Sequence, residues 1–154
     1  MGDIEIRIDD LTAPETLALI AHHHARMHEN TPSESVHALD LDGLRSSAIT
    51  IWSAWIGGRI AGIGALKRLD AQRGELKSFR TADEFQGRGV ARALLRHILG
   101  EARARGLTSL WLETGSDDAF IPARALYRSE GFSECGPFDA YADDPHSTFF
   151  TRTI

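Results

Sequence analysis

Gly87 and Gly89 stand two residues apart in EFQGRGVARALLRHILGEARARG, Glu84 to Gly106, where a long run with helical spacing begins. Inside a helix glycine costs roughly 1 kcal/mol against alanine, so these glycines serve another purpose. Glycine is wanted where backbone must come close to another group. A strand, a tight turn and a helix N-terminus in succession form an anion site. The first-turn N–H groups are unpaired there, and the helix dipole adds partial positive charge. Two phosphate cradles are excluded. A dinucleotide turn needs a third glycine where Arg92 stands, and a P-loop needs Gly-Lys followed by Ser or Thr. Taken alone, the glycines also fit a plain chain reversal.

The segments around this turn must position it. IEIRI (Ile4 to Ile8) alternates apolar and charged residues and predicts a half-buried strand. TAPE (Thr12 to Glu15) matches a capping box with Pro14 in the first turn. It predicts a helix to about His28, with Leu17, Ile20, Ala21, His24 and Met27 on one face. VHALDLDGLR fits a short helix or an ordered loop. AITIWSAWI and RIAGIGALKRL predict two strands around Gly57-Gly58, a hairpin signal. Gly74 to Thr81 predicts a further strand, and the helix after the glycine turn runs to about Arg105 with Gly106 ending it. Thr108 to Thr114 is a strand, PARALYRSE a short helix closed by Gly131, and FSECGPF and STFFTRTI are final strands. The order is that of an α/β domain with one mixed sheet covered by helices, a single domain over residues 1–154.

Composition narrows the function. The 154 residues suit one domain, and 42% hydrophobic with 25% charged residues is ordinary for a globular protein. Seventeen basic and 22 acidic residues leave a net charge of -5, which disfavours nucleic acid as a partner. Cys135 is the one cysteine, which excludes an intramolecular disulfide and the common cysteine zinc sites. No apolar run approaches a membrane span, and the acidic, alternating N-terminus is unlike a signal peptide, so a cytoplasmic location is expected. His22, His23 and His24 are successive residues of a helix. They point in different directions and cannot converge on one ion, so no metal is expected.

Two landmarks carry a resemblance. QGRGVA (Gln86 to Ala91) resembles the Gln/Arg-x-x-Gly-x-Gly/Ala signature of the GNAT superfamily of acyl-CoA-dependent N-acetyltransferases. ARALYRSEGF (Ala123 to Phe132) resembles its Ala-rich helix with Leu-Tyr and a following Gly-Phe. ESVHALDLDGLR, KSFRT, LETGSDDAF and CGPF further resemble a YsnE-like subgroup of small bacterial acetyltransferases. The resemblance covers nearly the whole chain. It implies a single mixed, mostly antiparallel sheet with helices on both faces, and acetyl-CoA as co-substrate.

By this resemblance Gln86, Gly87, Arg88, Gly89, Val90 and Ala91 surround the pyrophosphate, and the backbone of Phe79 and Thr81 pairs with the pantetheine arm. Arg92 and Arg124 are candidates for phosphate contact, or else part of solvated helix faces. The pattern departs from the family at Thr81, where Val is usual, and at Phe120, where Asn is frequent. Tyr127 matches the family's general acid, and it also fits an aromatic packed at helix spacing. Glu75 and Glu113, each at a strand end, are candidate bases acting through water, or merely solvated. His37, Arg45, Lys77 and Arg80 could read a carboxylate on an amino-acid-like substrate, unless they pair with nearby acids. The expected reaction is direct acetyl transfer to a primary amine of a small molecule in a ternary complex. Neither nucleic acid nor membrane is an expected partner, and a homodimer is allowed. The alternative is a non-catalytic acyl-CoA-binding or regulatory module on the same fold.

Overall fold

In the computed structural model, residues 3–32 and 41–154 are described. The elements run β1 (Glu5–Ile8), α1 (Pro14–Asn30), α2 (Leu41–Leu44), β2 (Ile49–Ile56), β3 (Arg59–Arg68), β4 (Arg73–Thr81), α3 (Val90–Ala104), β5 (Ser109–Gly115), α4 (Ile121–Ser129), β6 (Ser133–Cys135) and β7 (Ser147–Thr153). The strands form one seven-stranded sheet in the order β1-β2-β3-β4-β5-β7-β6. Every neighbouring pair is antiparallel except β4 with β5, which is parallel.

The hairpin between β2 and β3 turns on Gly57 and Gly58, at φ 57° and 78°. Positive φ at both positions matches the right-handed strand twist. Residues 51–56 of β2 and 61–66 of β3 are buried without alternation, so both faces of the sheet centre are covered. One cover is α3, which lies on a stripe of small residues. A Cβ at Gly62 would stand 2.8 Å from Val90 Cγ1, and one at Gly64 3.2 Å from Ile98 Cδ1. Larger residues there would lift the helix off the sheet. On α3, Val90, Leu94, Leu95, Ile98, Leu99 and Ala102 are buried, the face expected of a core-facing helix. The opposite cover includes α1, which packs on β3 and β4.

The start of α1 differs from the expected capping box. Its N-cap is Ala13, with no side-chain cap. Thr12 turns back to Asp10 instead, its hydroxyl donating to Oδ1 at 2.6 Å. Asp9 takes the tethering role. It accepts from Leu11 N at 2.8 Å and from the Thr16 hydroxyl at 2.9 Å. Pulling Thr16 inward rotates the helix. The inward face is Thr16, Leu19, Ile20, His23 and Met27, whereas Ala21 is exposed. The exits of α3 and α4 follow expectation, with Gly106 and Gly131 at φ 82° and 88° just beyond each last turn.

Two features open the sheet. The parallel ladder joins Arg73–Leu76 to Ser109–Leu112 and stops there. Beyond it β4 continues on β3, and β5 continues on β7. The register of β4 on β3 also slips, from Ala65 opposite Lys77 to Ile63 opposite Arg80. That slip is a bulge at Ser78 and Phe79, and Ser78 sits at φ 57°. A bulge bends its strand and increases local twist. Here it carries the end of β4 away from β5.

Gly89 caps α3 at φ 80°, and nothing lies within 4 Å of where its Cβ would be. Gly89→Ala therefore pays only the left-handed backbone strain. Urea titration should show a loss of about 1–2 kcal/mol with an unchanged m-value. An unmoved midpoint would mean that the turn relaxes around the new Cβ.

Candidate active site

The turn before α3 presents backbone donors. Among the described residues, no backbone N–H from Gly87 through Arg92 donates to another group. Phe85 and Val90 are buried and anchor the turn at both ends, while Gln86, Gly87, Arg88 and Gly89 are exposed. Gly87 and Gly89 hold φ 77° and 80°, which turns the amides toward one side without a Cβ in the way. Arg88 rests its guanidinium 5.5 Å from the Phe85 ring centroid. Ala91 is half-buried at the first turn of α3. Open donors of this kind, with the helix dipole behind them, are the groups with which a helix start can hold an anion.

Two arginines expected near phosphate have other partners. Arg92 Nη1 donates to Glu130 Oε1 at 2.9 Å and Ser129 Oγ at 3.1 Å, and Arg96 Nε reaches the same carboxylate at 2.7 Å. The pair joins α3 to the end of α4 and holds the Glu130 carboxyl below its ordinary range against the cost of desolvation. Arg124 Nη1 donates to the carbonyls of Gly115 at 2.7 Å and Asp117 at 3.0 Å. It ties α4 to the end of β5 rather than standing free for a phosphate.

Where β4 and β5 part, a cleft of about 90 Å³ opens. Glu75, Lys77, Ser78 and Phe79 line it from β4, Glu113 from β5, Tyr127 from α4 and His23 from α1. Thr81 lies at the half-buried end of β4, opposite Gly62. The Phe79 ring turns away to the sheet, 3.0 Å from where a Gly64 Cβ would be, leaving its backbone at the bulge. Ser78 Oγ is buried without a partner.

Tyr127 is 6% exposed, its ring packed against Phe132 and Phe150 at 5.9 and 6.2 Å. Its hydroxyl has no hydrogen-bond partner among the described residues. Burial, and then the Glu113 carboxylate, push the phenol well above its ordinary pKa, so it stays protonated at any physiological pH. Glu113 accepts from the Ser147 hydroxyl at 2.7 Å. Glu75 is buried, the only charged residue in the buried set among the described residues.

Among the described residues, the expected cationic cluster for a carboxylate is not assembled. Lys77 bonds Glu75 at 3.2 Å and Tyr141 at 2.9 Å, and Arg80 bonds Asp83 at 2.8 Å. Arg45 is exposed on the turn after α2, and His37 lies outside the described residues. Each described cation in the cleft wall has found an acid close in the chain, which removes its free charge from the cleft.

Two residues of the site were not singled out from the sequence. His23 faces the cleft, while His22 reaches Asp83 at 3.3 Å and His24 stacks on His28 at 4.7 Å. Burial, then Arg80, lower the His23 pKa to about 4, so the imidazole is neutral at pH 7. A helix face starting at Thr16 instead of Leu17 would have found it. Tyr141 comes from the segment between β6 and β7, and its one signal is an aromatic inside the polar run DAYADDPHS.

Beside a parted parallel strand pair, a donor-rich turn at a helix start and a buried tyrosine at one cleft are the features that the sequence resemblance led us to expect of an acyl-CoA-dependent transferase. The chain belongs to the acetyltransferase (GNAT) family, whose family model matches residues 16–132. It is 48% identical to the uncharacterized N-acetyltransferase YsnE of Bacillus subtilis (strain 168), covering 98% of this chain and 100% of that protein. It is 50% identical to the uncharacterized N-acetyltransferase YedL of Escherichia coli (strain K12), over 97% and 94% of the two chains. A solved Klebsiella pneumoniae chain assigned as an acyl-CoA N-acyltransferase superposes with a TM-score of 0.82 at 27% identity, covering 97% of each. A GNAT family acetyltransferase from Elizabethkingia anophelis with acetyl-CoA bound superposes at 0.72, at 18% identity and full coverage of both. The chain is an N-acetyltransferase of this family, a family that uses acetyl-CoA as co-substrate. No helix among the described residues is long and apolar enough to cross a membrane.

The open donors of the glycine turn fit the pyrophosphate of that co-substrate. Gly89→Glu adds a carboxylate there and should abolish acetyl-CoA binding by calorimetry, while Gly89→Ala keeps most of it. Unchanged affinity in a folded Gly89→Glu protein would place the phosphates elsewhere.

Proposed function

We propose that the chain moves an acetyl group from acetyl-CoA directly to a primary amine of a small molecule, both substrates being bound together. The reading rests on one observation above all. The Tyr127 hydroxyl, with no partner among the described residues, stands at the wall of the cleft where β4 and β5 part. Acetyl-CoA supplies the activated acyl group. The protein's part is to hold the cofactor, orient the amine and manage protons.

Gly87 to Ala91 bind the pyrophosphate through backbone N–H groups, and the bulged edge of β4 at Ser78 and Phe79 faces the pantetheine arm and thioester. A fixed N–H near Phe79 is placed to polarise the carbonyl. Tyr127 supplies the proton that a departing thiolate takes. Glu75 and Glu113 line the same cleft, and Glu75 is the better base candidate, because both of its donors fall on Oε2 and Oε1 accepts none among the described residues.

Two features support direct transfer to a small acceptor. Cys135, the chain's one thiol, lies on β6 outside the cleft lining, and burial and Glu134 push its pKa up, which makes it a poor acyl carrier. A second, more open cavity of about 420 Å³ adjoins the cleft through Glu75, Lys77 and Tyr141. That volume lies in the range of small-molecule sites. An acceptor panel monitored by release of the CoA thiol tests the reading. No turnover on any amine, with acetyl-CoA still bound, would favour a binding module.

Tyr127→Phe keeps the ring and its packing and removes the proton. In single-turnover transfer at saturating acetyl-CoA, the rate should fall by roughly 10²–10⁴, toward the lower end because a thiolate is a weakly basic leaving group. The acetyl-CoA Kd should not change. A rate within twofold of wild type would remove Tyr127 as the acid and leave solvent as the proton source.

A further inference from the structure

Tyr141, Glu75 and Lys77 close a ring of hydrogen bonds at the boundary shared by the two cavities. Tyr141 Oη donates to Glu75 Oε2 at 2.5 Å. Lys77 Nζ donates to the same Oε2 at 3.2 Å and to Tyr141 Oη at 2.9 Å. Both bonds on the carboxylate therefore fall on one oxygen. Oε1 accepts none among the described residues, and it is not among the sealed, unpartnered buried atoms.

The geometry has a consequence for a buried carboxylate. With Lys77 as its only partner, the Glu75 group could rotate to give that ammonium either oxygen, or both. A second donor on Oε2, from a different element, fixes the plane and leaves Oε1 as the proton-accepting oxygen. Tyr141 can provide such a hold because its own ring is fixed, 5.0 Å from Phe138 and 5.5 Å from Phe149. Phe138 and Phe149 are themselves buried.

We propose that Tyr141 is a positioning residue for acetyl transfer, its hydroxyl orienting Glu75 so that Oε1 takes a proton from the acceptor's ammonium. This rests on the reading of Glu75 as the base. An alkylamine arrives largely protonated at neutral pH, since such groups have pKa values near 10. One ammonium proton passes to Glu75, directly or through water, and frees the lone pair. The N–C bond then forms as the C–S bond breaks, and the thiolate takes the Tyr127 proton. The second proton lost by nitrogen replaces that one through solvent, and Glu75 releases its own to solvent. The balance is one ammonium and one thioester giving one amide, one thiol and one proton.

The test uses acceptors of different basicity. Tyr141→Phe keeps both ring contacts and loses only the hydroxyl, and its melting temperature checks the fold. Single-turnover transfer is measured with the fastest alkylamine of a panel including benzylamine and putrescine, and with hydroxylamine, which is neutral at the assay pH. The variant should lose roughly 10- to 100-fold on the alkylamine, and at most about twofold on hydroxylamine, which needs no base. Glu75→Gln should show the same selective loss. The double variant should be no slower than Glu75→Gln alone, as expected of residues acting as a unit. Equal losses on both acceptors, no loss on either, or additive losses in the double variant would each overturn the proposal. If Glu75→Gln transfers to the alkylamine at the wild-type rate, the base reading fails and this proposal with it, while the outcome for Tyr127→Phe stands apart.

Discussion

The parting of β4 from β5 is the constraint on which the site depends. A parallel pair has no hairpin, so α3 must cross between the two strands. Each strand also has an antiparallel neighbour with its own twist, β3 on one side and β7 on the other. Four residues on, at Leu76 and Leu112, the shared ladder ends and each strand follows its other partner. The bulge at Ser78 and Phe79 turns β4 further away. The opened wedge exposes backbone on its walls. The chain leaving β4 passes through the glycine turn into α3, which sets open backbone donors and a helix N-terminus at the end of the strand that forms one wall.

A wedge in a sheet would close or fill with water unless its rim were held. Arginine hydrogen bonds and ion pairs hold it here. Arg124 grips the carbonyls at the end of β5, and Glu130 gathers Arg92 and Arg96 from α3. These contacts fix α4 against the end of β5 and against α3, and so fix Tyr127. They also explain why so few of the cations near the cleft are free. Surface pairs of this kind contribute little to stability singly. Their effect is geometric, holding at the cleft wall a phenol that has no partner among the described residues. The same economy applies inside the cleft, where Lys77 offsets the burial of Glu75 and is thereby removed as a ligand for a substrate carboxylate.

Much of this was legible in the residues. Period-2 and period-3.6 patterns placed the strands and helices, because burial of a face leaves that mark on each element separately. The glycine turn was legible because positive φ and unhindered amides demand a residue type. Tyr127 was singled out through the resemblance that ALYRSEGF carries, and it does line the cleft. The face of α1 was misjudged by one position, because the Asp9–Thr16 bond that rotates the helix joins two segments and leaves no periodic trace.

What the sequence determined by itself was local: which segments are strands or helices, where the chain must turn, and which residue types could bind phosphate or donate a proton. The tertiary structure alone decided how remote charges pair. Lys77 and Arg80 pair with acids two and three residues away in the chain, whereas Arg92 meets Glu130 across 38 residues and Arg124 reaches back from α4 to the Gly115 carbonyl. The tertiary structure alone brought Tyr141 to Glu75 across 66 residues and turned His23 toward the cleft. The reason is physical. Backbone propensity and burial are properties of a segment, whereas a hydrogen-bond partner is chosen by distance in space, and distance between remote residues exists only once the sheet has formed.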